Sequence, residues 1–189
     1  MRGVGFVVCR PGTSLLASWQ FLMEIAMRLA MLAVLALIAL PSSSWAADVE
    51  ANKRLFRDWM EEVWNKRQPS AIERYLAPNF IEHNPNIPPG LDGRKQFVAA
   101  LQAGFSDYRG EIEQIVAEGN MLVVRILWTG TQDGPFLGQP PSGRKLSFRT
   151  ADFFRIENGK FAEHWDVVDS LTRAVALGLV PAPKPSPQR

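Results

Sequence analysis

The sequence predicts an α+β fold, with helices gathered at one end of an antiparallel sheet. Three observations predict it. Helical periodicity is concentrated early in the folded region, where Leu55, Trp59 and Val63 share a stripe with Phe56, Met60 and Trp64 beside it. Most of the chain from Glu111 to Val168 alternates or runs apolar in the manner of strands. Asn158-Gly159 separates two of these runs, a strong signal for a two-residue hairpin. Helices gathered at one end of an antiparallel sheet make an α+β arrangement.

Taken in order, the elements begin with a leader. Arg28 precedes the apolar run Leu29–Leu40, and Pro41 is followed by Ser42-Ser43-Ser44-Trp45-Ala46. A positive segment, a short apolar segment and a small-x-small end describe a secretory signal peptide cleaved after Ala46. The run is shorter than the roughly 20 residues a bilayer span needs. A periplasmic or secreted protein, with no stable membrane insertion after cleavage, is therefore expected; an uncleaved anchor is the alternative. Met27 is a second possible start, which would make residues 1–26 an upstream extension. The expected organisation is a leader over 1–46, one domain over 47–181 and a disordered Pro-rich tail over 182–189.

Asp48 to about Lys66 forms the first helix, with Arg57, Asp58, Glu61 and Glu62 on its polar side. Pro69 opens a second short helix that ends at Ala77-Pro78. Phe80–His83 is a short strand leading into the turn-rich Asn84–Gly90, and a third helix runs from about Gly93 to Gly104. Strands follow over Glu111–Glu118, Met121–Trp128, Lys145–Ile156 and Lys160–Val168, with a last short helix over Leu171–Leu177 before Gly178. Met121–Trp128 is nearly continuous in apolar residues, as expected of a strand covered on both faces. Helices can cover one side only, so a homodimer through the other is expected.

Of 189 residues, 21 are Lys or Arg, 19 Asp or Glu, 2 His and 1 Cys, giving a net charge of +2. The leader carries Arg2, Arg10, Arg28 and Glu24, so the remainder balances at 18 of each sign (21 − 3 and 19 − 1). Its basic pairs are scattered, which excludes a nucleic-acid footprint. Cys9 also lies in the leader. The domain therefore has no thiol for a disulfide, zinc ribbon or cysteine nucleophile.

Several motifs carry a family resemblance: Glu82-His83-Asn84-Pro85, Gly119-Asn120, Thr129-Gly130-Thr131, Gly134-Pro135-Phe136-Leu137-Gly138-Gln139-Pro140-Pro141-Ser142-Gly143-Arg144, Phe154–Lys160 and Glu163-His164-Trp165-Asp166. Over about residues 52–181 the chain resembles the SnoaL-like polyketide cyclases of the nuclear-transport-factor-2-like superfamily. The resemblance implies a curved antiparallel sheet wrapped by N-terminal helices into a cone-shaped α+β barrel, and an aldol ring closure without cofactor or metal. It also places the family's acid/base aspartate at Asp166. The implied partner is a small, mostly apolar carbonyl or polyketide-like compound. Fold-mates include isomerases, hydrolases and binders, so a non-catalytic ligand-binding module remains the alternative.

The candidate site follows from the chemistry. Aldol cyclisation needs a base for a proton α to a carbonyl and an acid for the developing alkoxide; a carboxylate in an apolar pocket can serve as both. Asp166 is the candidate, and from the residues alone it reads equally as a solvated strand-end carboxylate or a partner of Arg149 or Arg155. His83, between strand and Pro-rich loop, is the second catalytic candidate, or else a loop histidine bonded to backbone. Asp152, Trp165, His164 and Arg125 are the substrate-binding candidates. The alternative for Trp165 is a core role, for His164 a structural one, and for Arg125 an ion pair with Asp152 or a sheet neighbour.

Two residues depart from the family pattern: Asp152 stands where a substrate-contacting histidine is implied, and Gln132 replaces a common histidine. A regular Asn-Gly hairpin would pair Asp152 with Trp165 and send Asp152 and Asp166 to opposite faces. Both enter one pocket only if a β-bulge shifts a strand by one residue. His83, His164 and Asp166 form a conceivable two-His, one-carboxylate metal set, but their spacing does not require a metal.

Overall fold

The computed structural model describes residues 42–184 together with 19, 23–28 and 31. Most of the leader and the end of the tail lie outside these described residues. The chain divides into two units, 1–44 and 45–189. In the first, residues 23–28 are helical. Among the described residues no helix is long and apolar enough to cross a membrane.

Helix α1 (Ser42–Trp59), which belongs to the second unit from Trp45 on, runs on into a π-helical turn, Met60–Asn65. Phe56, Trp59, Met60, Val63 and Trp64 are buried here, while Arg57, Asp58 and Glu61 are exposed. Continuing past Trp59 with an extra residue per turn rotates Val63 and Trp64 onto the same buried side. A 3₁₀ turn, Pro69–Ala71, leads to the one-turn helix α2 (Ile72–Tyr75) and then to strand β1 (Leu76–Glu82). Ala77-Pro78 does not end the chain's order but begins an edge strand, a place where a missing N–H is tolerated.

Helix α3 (Gly90–Gly104) precedes the strands β2 (Arg109–Glu118), β3 (Met121–Thr131), β4 (Lys145–Glu157) and β5 (Lys160–Val168), and α4 (Ser170–Ala176) closes the unit. The five strands form one unclosed sheet in the order β1-β5-β4-β3-β2. The β2–β3, β3–β4 and β4–β5 pairs are antiparallel as expected. The edge pair β1–β5 is parallel, with Ile81 opposite Glu163 and Glu82 opposite His164. β1 is separated from β5 by most of the domain, so no hairpin dictates its direction.

The inner face of the sheet carries the core. On β3 Leu122, Val124, Ile126 and Trp128 point inward, and on β4 the inward set is Leu146, Phe148, Thr150, Asp152, Phe154 and Ile156. The Asn158-Gly159 turn forms as expected, with both residues at positive φ. Beyond it the pairing slips. Ile156 faces Phe161 but Arg155 faces Glu163, leaving Ala162 as an extra residue. Phe161 and Ala162 are consecutive and both buried, the signature of a β-bulge.

Candidate functional site

The bulge decides the site. It pairs Phe153 with Trp165 and Asp152 with Asp166. The two aspartates are therefore cross-strand neighbours on the inner face, correcting the regular-hairpin register that separates them. Both line a cavity between the sheet and the helices. Its walls are mainly apolar and aromatic: Trp59 and Trp64 from the first helical stretch, Phe97 and Leu101 from α3, Trp128 from β3, Phe148 and Phe154 from β4. The cavity encloses about 780 Å³ including its open mouth. This slot, walled by aromatic side chains, suits a flat, mostly apolar molecule.

Asp152 is fixed on both oxygens. The Thr150 hydroxyl donates to Oδ2, and Trp128 Nε1 donates to that hydroxyl at 2.9 Å. His164 Nε2 lies 3.0 Å from Asp152 Oδ1, and its Nδ1 lies 2.7 Å from Glu82 Oε1. His164 is fully buried between two carboxylates. Two protons are needed along this chain, because neither carboxylate can donate unless protonated. The Asn84 backbone N–H donates to Glu82 Oε1 at 3.0 Å, and Arg94 Nη1 lies 3.5 Å from Glu82 Oε2. Burial alone would push the Glu82 carboxyl up, but the His164 hydrogen bond, the Arg94 charge and the Asn84 amide together hold it below the usual range.

Asp166 differs. It is only partly buried, and Asn84 Nδ2 donates to its two oxygens at 2.8 Å each. Burial raises its proton affinity above the ordinary carboxylate range, and the neighbouring Asp152 charge adds to the rise; Asn84, His164 and Arg94 oppose it. A carboxyl in this state, at the wall of an aromatic slot, can accept a proton and return it. Tyr108 also lines the slot, stacked on Trp128 at 5.1 Å, and burial pushes its phenol up, so it stays a neutral donor.

Other sequence candidates lie elsewhere. His83 is not at the pocket: it is on the outer side of the sheet, its ring stacked on Trp165 at 4.4 Å and its Nε2 2.9 Å from Glu163 Oε2. Trp165 likewise faces outward and does not line the slot. The period-2 alternation of Phe80, Ile81, Glu82 and His83 explains the displacement: Phe80 and Glu82 point in, so Ile81 and His83 point out. Arg125 is not buried and does not reach Asp152. It is opposite Ala151 on the outer face, half exposed, with Nε 3.2 Å from Glu113 Oε2. Gln132 is buried but clips a loop, its Nε2 donating to Pro140 O and its Oε1 accepting from the Ser142 hydroxyl.

Glu82, Asn84, Arg94, Thr150 and Tyr108 are the site residues that sequence reasoning did not single out. Strand alternation contained the signal for Glu82 and Thr150. Arg94 had none, because its inward path depends on Gly93, where a Cβ would sit 1.8 Å from the Pro88 carbonyl oxygen. As for metals, ligand atoms of Asp152, His164 and Asp166 lie within 4.8 Å of one another and could hold one. This is not the His83-containing set, and in the structure His164 Nε2 is already turned to Asp152.

A curved sheet under N-terminal helices, with a carboxylate pair inside an aromatic slot, defines a ligand-pocket protein of the nuclear-transport-factor-2-like fold. Within that class the chain belongs to the SnoaL-like polyketide cyclase family, whose profile matches residues 54–177. It is 34% identical over 122 residues to the aklanonic acid methyl ester cyclase DauD of Streptomyces sp. (strain C5), covering 62% of this chain and 71% of that one. It is 27% identical over 116 residues to the nogalonic acid methyl ester cyclase of Streptomyces nogalater, covering 58% and 85%. Among solved structures, TsrD from Streptomyces laurentii superposes with a TM-score of 0.64 at 30% identity, covering 69% of this chain and 97% of its own.

Proposed function

We propose that this chain is an acid/base enzyme that closes a ring in a planar, polyketide-like carbonyl compound by intramolecular aldol condensation, with Asp166 moving the proton. The observation that carries the reading is Asp166 itself, a carboxyl of raised proton affinity held by one amide at the wall of an aromatic slot. The relatives named as cyclases of methyl esters support the reaction class.

In the first step an Asp166 oxygen takes the proton from the carbon α to a carbonyl. The C–H electron pair moves onto the carbonyl oxygen as an enolate. Arg94 suits that oxygen: it lines the slot, is nine-tenths buried, and its Nε–H has no partner among the described residues. The enolate carbon then bonds to a second carbonyl carbon of the same molecule, and the resulting alkoxide takes the proton back from Asp166. One C–C bond forms with no net oxidation, so the chain's own side chains suffice and no cofactor is needed. Asp152, pinned by Thr150 and His164, is held beside Asp166, where its charge raises the proton affinity of Asp166. His164 and Glu82 position Asp152 rather than touching substrate. His83, Trp165 and Arg125 play no part in the slot.

We further propose that the protein acts outside the cytoplasm after removal of residues 1–46, a reading supported by the Arg28, Leu29–Leu40 and Ser44-x-Ala46 pattern. N-terminal sequencing of material from the periplasm or medium tests it: Ala47 as first residue supports it, and a retained Leu29–Leu40 overturns it.

The catalytic reading is tested by incubating the protein with aklanonic acid methyl ester and, separately, with the free acid, and following the isomeric, ring-closed product by chromatography, with and without a chelator. Turnover indifferent to the chelator supports it. Tight binding with no turnover of this or related diketones replaces it with the binding-module reading.

A further inference from the structure

The slot has two electrically different ends. Asp152 and Asp166 form one. The other is set by Arg173 of α4, whose Cζ lies 5.7 Å from the centroid of the Phe148 ring. Phe148 and Asp152 are four residues apart on the same face of β4, which separates the two ends by about 13 Å along the strand. Tyr108 also lines the slot, its phenol within reach of the Asp152, Arg173 and Arg94 charges.

Arg173 is a cation with nothing to bind. Among the described residues its guanidinium makes no hydrogen bond and no ion pair; the carboxylate nearest in sequence, Asp169, instead caps α4 by accepting from the Thr172 amide at 3.1 Å. The other arginine that lines the slot, Arg94, is directed toward Glu82. The Arg173 side chain is partly buried and lies against an aromatic ring, which limits its freedom before any ligand arrives. A planar guanidinium with five unshared donors matches a planar carboxylate, which it can hold by two parallel hydrogen bonds.

We propose that Arg173 is a specificity residue selecting a ligand that carries a free carboxylate at the end remote from the reacting carbonyl, so that the substrate is a planar aromatic acid and not its neutral ester. This rests on the slot described under the proposed function, but not on catalysis there. It also separates this chain from the relatives named for methyl esters.

Calorimetric titration with 3-hydroxy-2-naphthoate and with its methyl ester, at neutral pH and low salt, tests the inference. The acid is expected to bind about ten- to a hundredfold more tightly than the ester, the usual worth of a hydrogen bond to a charged group. Arg173→Gln should erase that preference while leaving ester affinity within about twofold and the melting temperature unchanged; Arg173→Lys should restore part of it. Equal or better binding of the ester by the unaltered protein overturns the inference, as does a preference that survives Arg173→Gln, or no binding of either probe at millimolar concentration. An acid preference without any turnover of a diketone leaves Arg173 in its role and defeats only the catalytic reading. Turnover of a diketone by a protein that shows no preference for the acid does the reverse.

Discussion

Replacing Asp166 with Asn changes two quantities in opposite directions. The amide keeps the shape of the carboxyl and an oxygen for Asn84 Nδ2, now 2.8 Å away, but it cannot take a proton. If Asp166 performs the proton transfer, turnover falls by about two to four orders of magnitude, the range for general acid/base catalysis. Stability should rise. The folded protein holds the Asp166 proton more tightly than the unfolded chain does, because of burial and the Asp152 charge. Ionising Asp166 at neutral pH therefore costs folding free energy. That cost is absent below the unfolded value of 3.8 and grows as the pH climbs through the raised folded value. Asp166→Asn removes it, so its melting temperature should exceed that of the unaltered protein at pH 7, and the difference should vanish near pH 3. Thermal melts across pH 3–8, paired with turnover per folded molecule, read both effects. Unchanged turnover refutes the catalytic role, and a lower melting temperature at pH 7 refutes the account of a strained, desolvated carboxyl.

Glu82→Gln should do the opposite, destabilising the fold at neutral pH by about 3–5 kcal/mol, since it breaks a buried charge network whose carboxyl is held below its ordinary range. The loss should shrink on acidification below pH 4.5, where the unaltered Glu82 loses its own advantage, and urea titration at several pH values reads it. Gly93→Ala should destabilise by about 1–3 kcal/mol or more, because its Cβ would meet the Pro88 backbone and push Arg94 from the slot; a melt within a degree of the unaltered protein contradicts this. We also propose a homodimer through the outer sheet face, which exposes Ile81, Val116 and Val167. Sedimentation should show a dimer at micromolar concentration, and a monomer there counts against it.

The strands and most helices were legible because burial enforces period, and period is visible: the inner rows of β3 and β4 follow strict alternation. Asp166 was legible through the family resemblance, and the structure adds its environment. The β-bulge at Ala162 was foreseeable only as a condition, since Phe161-Ala162 reads as an ordinary strand pair until both are seen to be buried. His83 and Arg125 misled for one reason. A histidine beside a carboxylate and an arginine in an apolar run both suggest a buried site, yet each sits on the face that strand alternation sends outward. The parallel pairing of β1 with β5 was illegible because it joins residues about eighty positions apart. That pairing is what brings Glu82 to His164.

The most direct test of the proton-transfer role of Asp166 is hydrogen–deuterium exchange at the α-carbon of a bound 1,3-diketone, followed by proton NMR in deuterated buffer. The account predicts that the unaltered protein speeds loss of the α-proton signal well above the buffer rate, and that Asp166→Asn returns exchange to the buffer rate while the diketone still binds. Enhanced exchange that persists undiminished in folded Asp166→Asn, or a bound diketone whose α-proton exchanges no faster than in buffer, would contradict it.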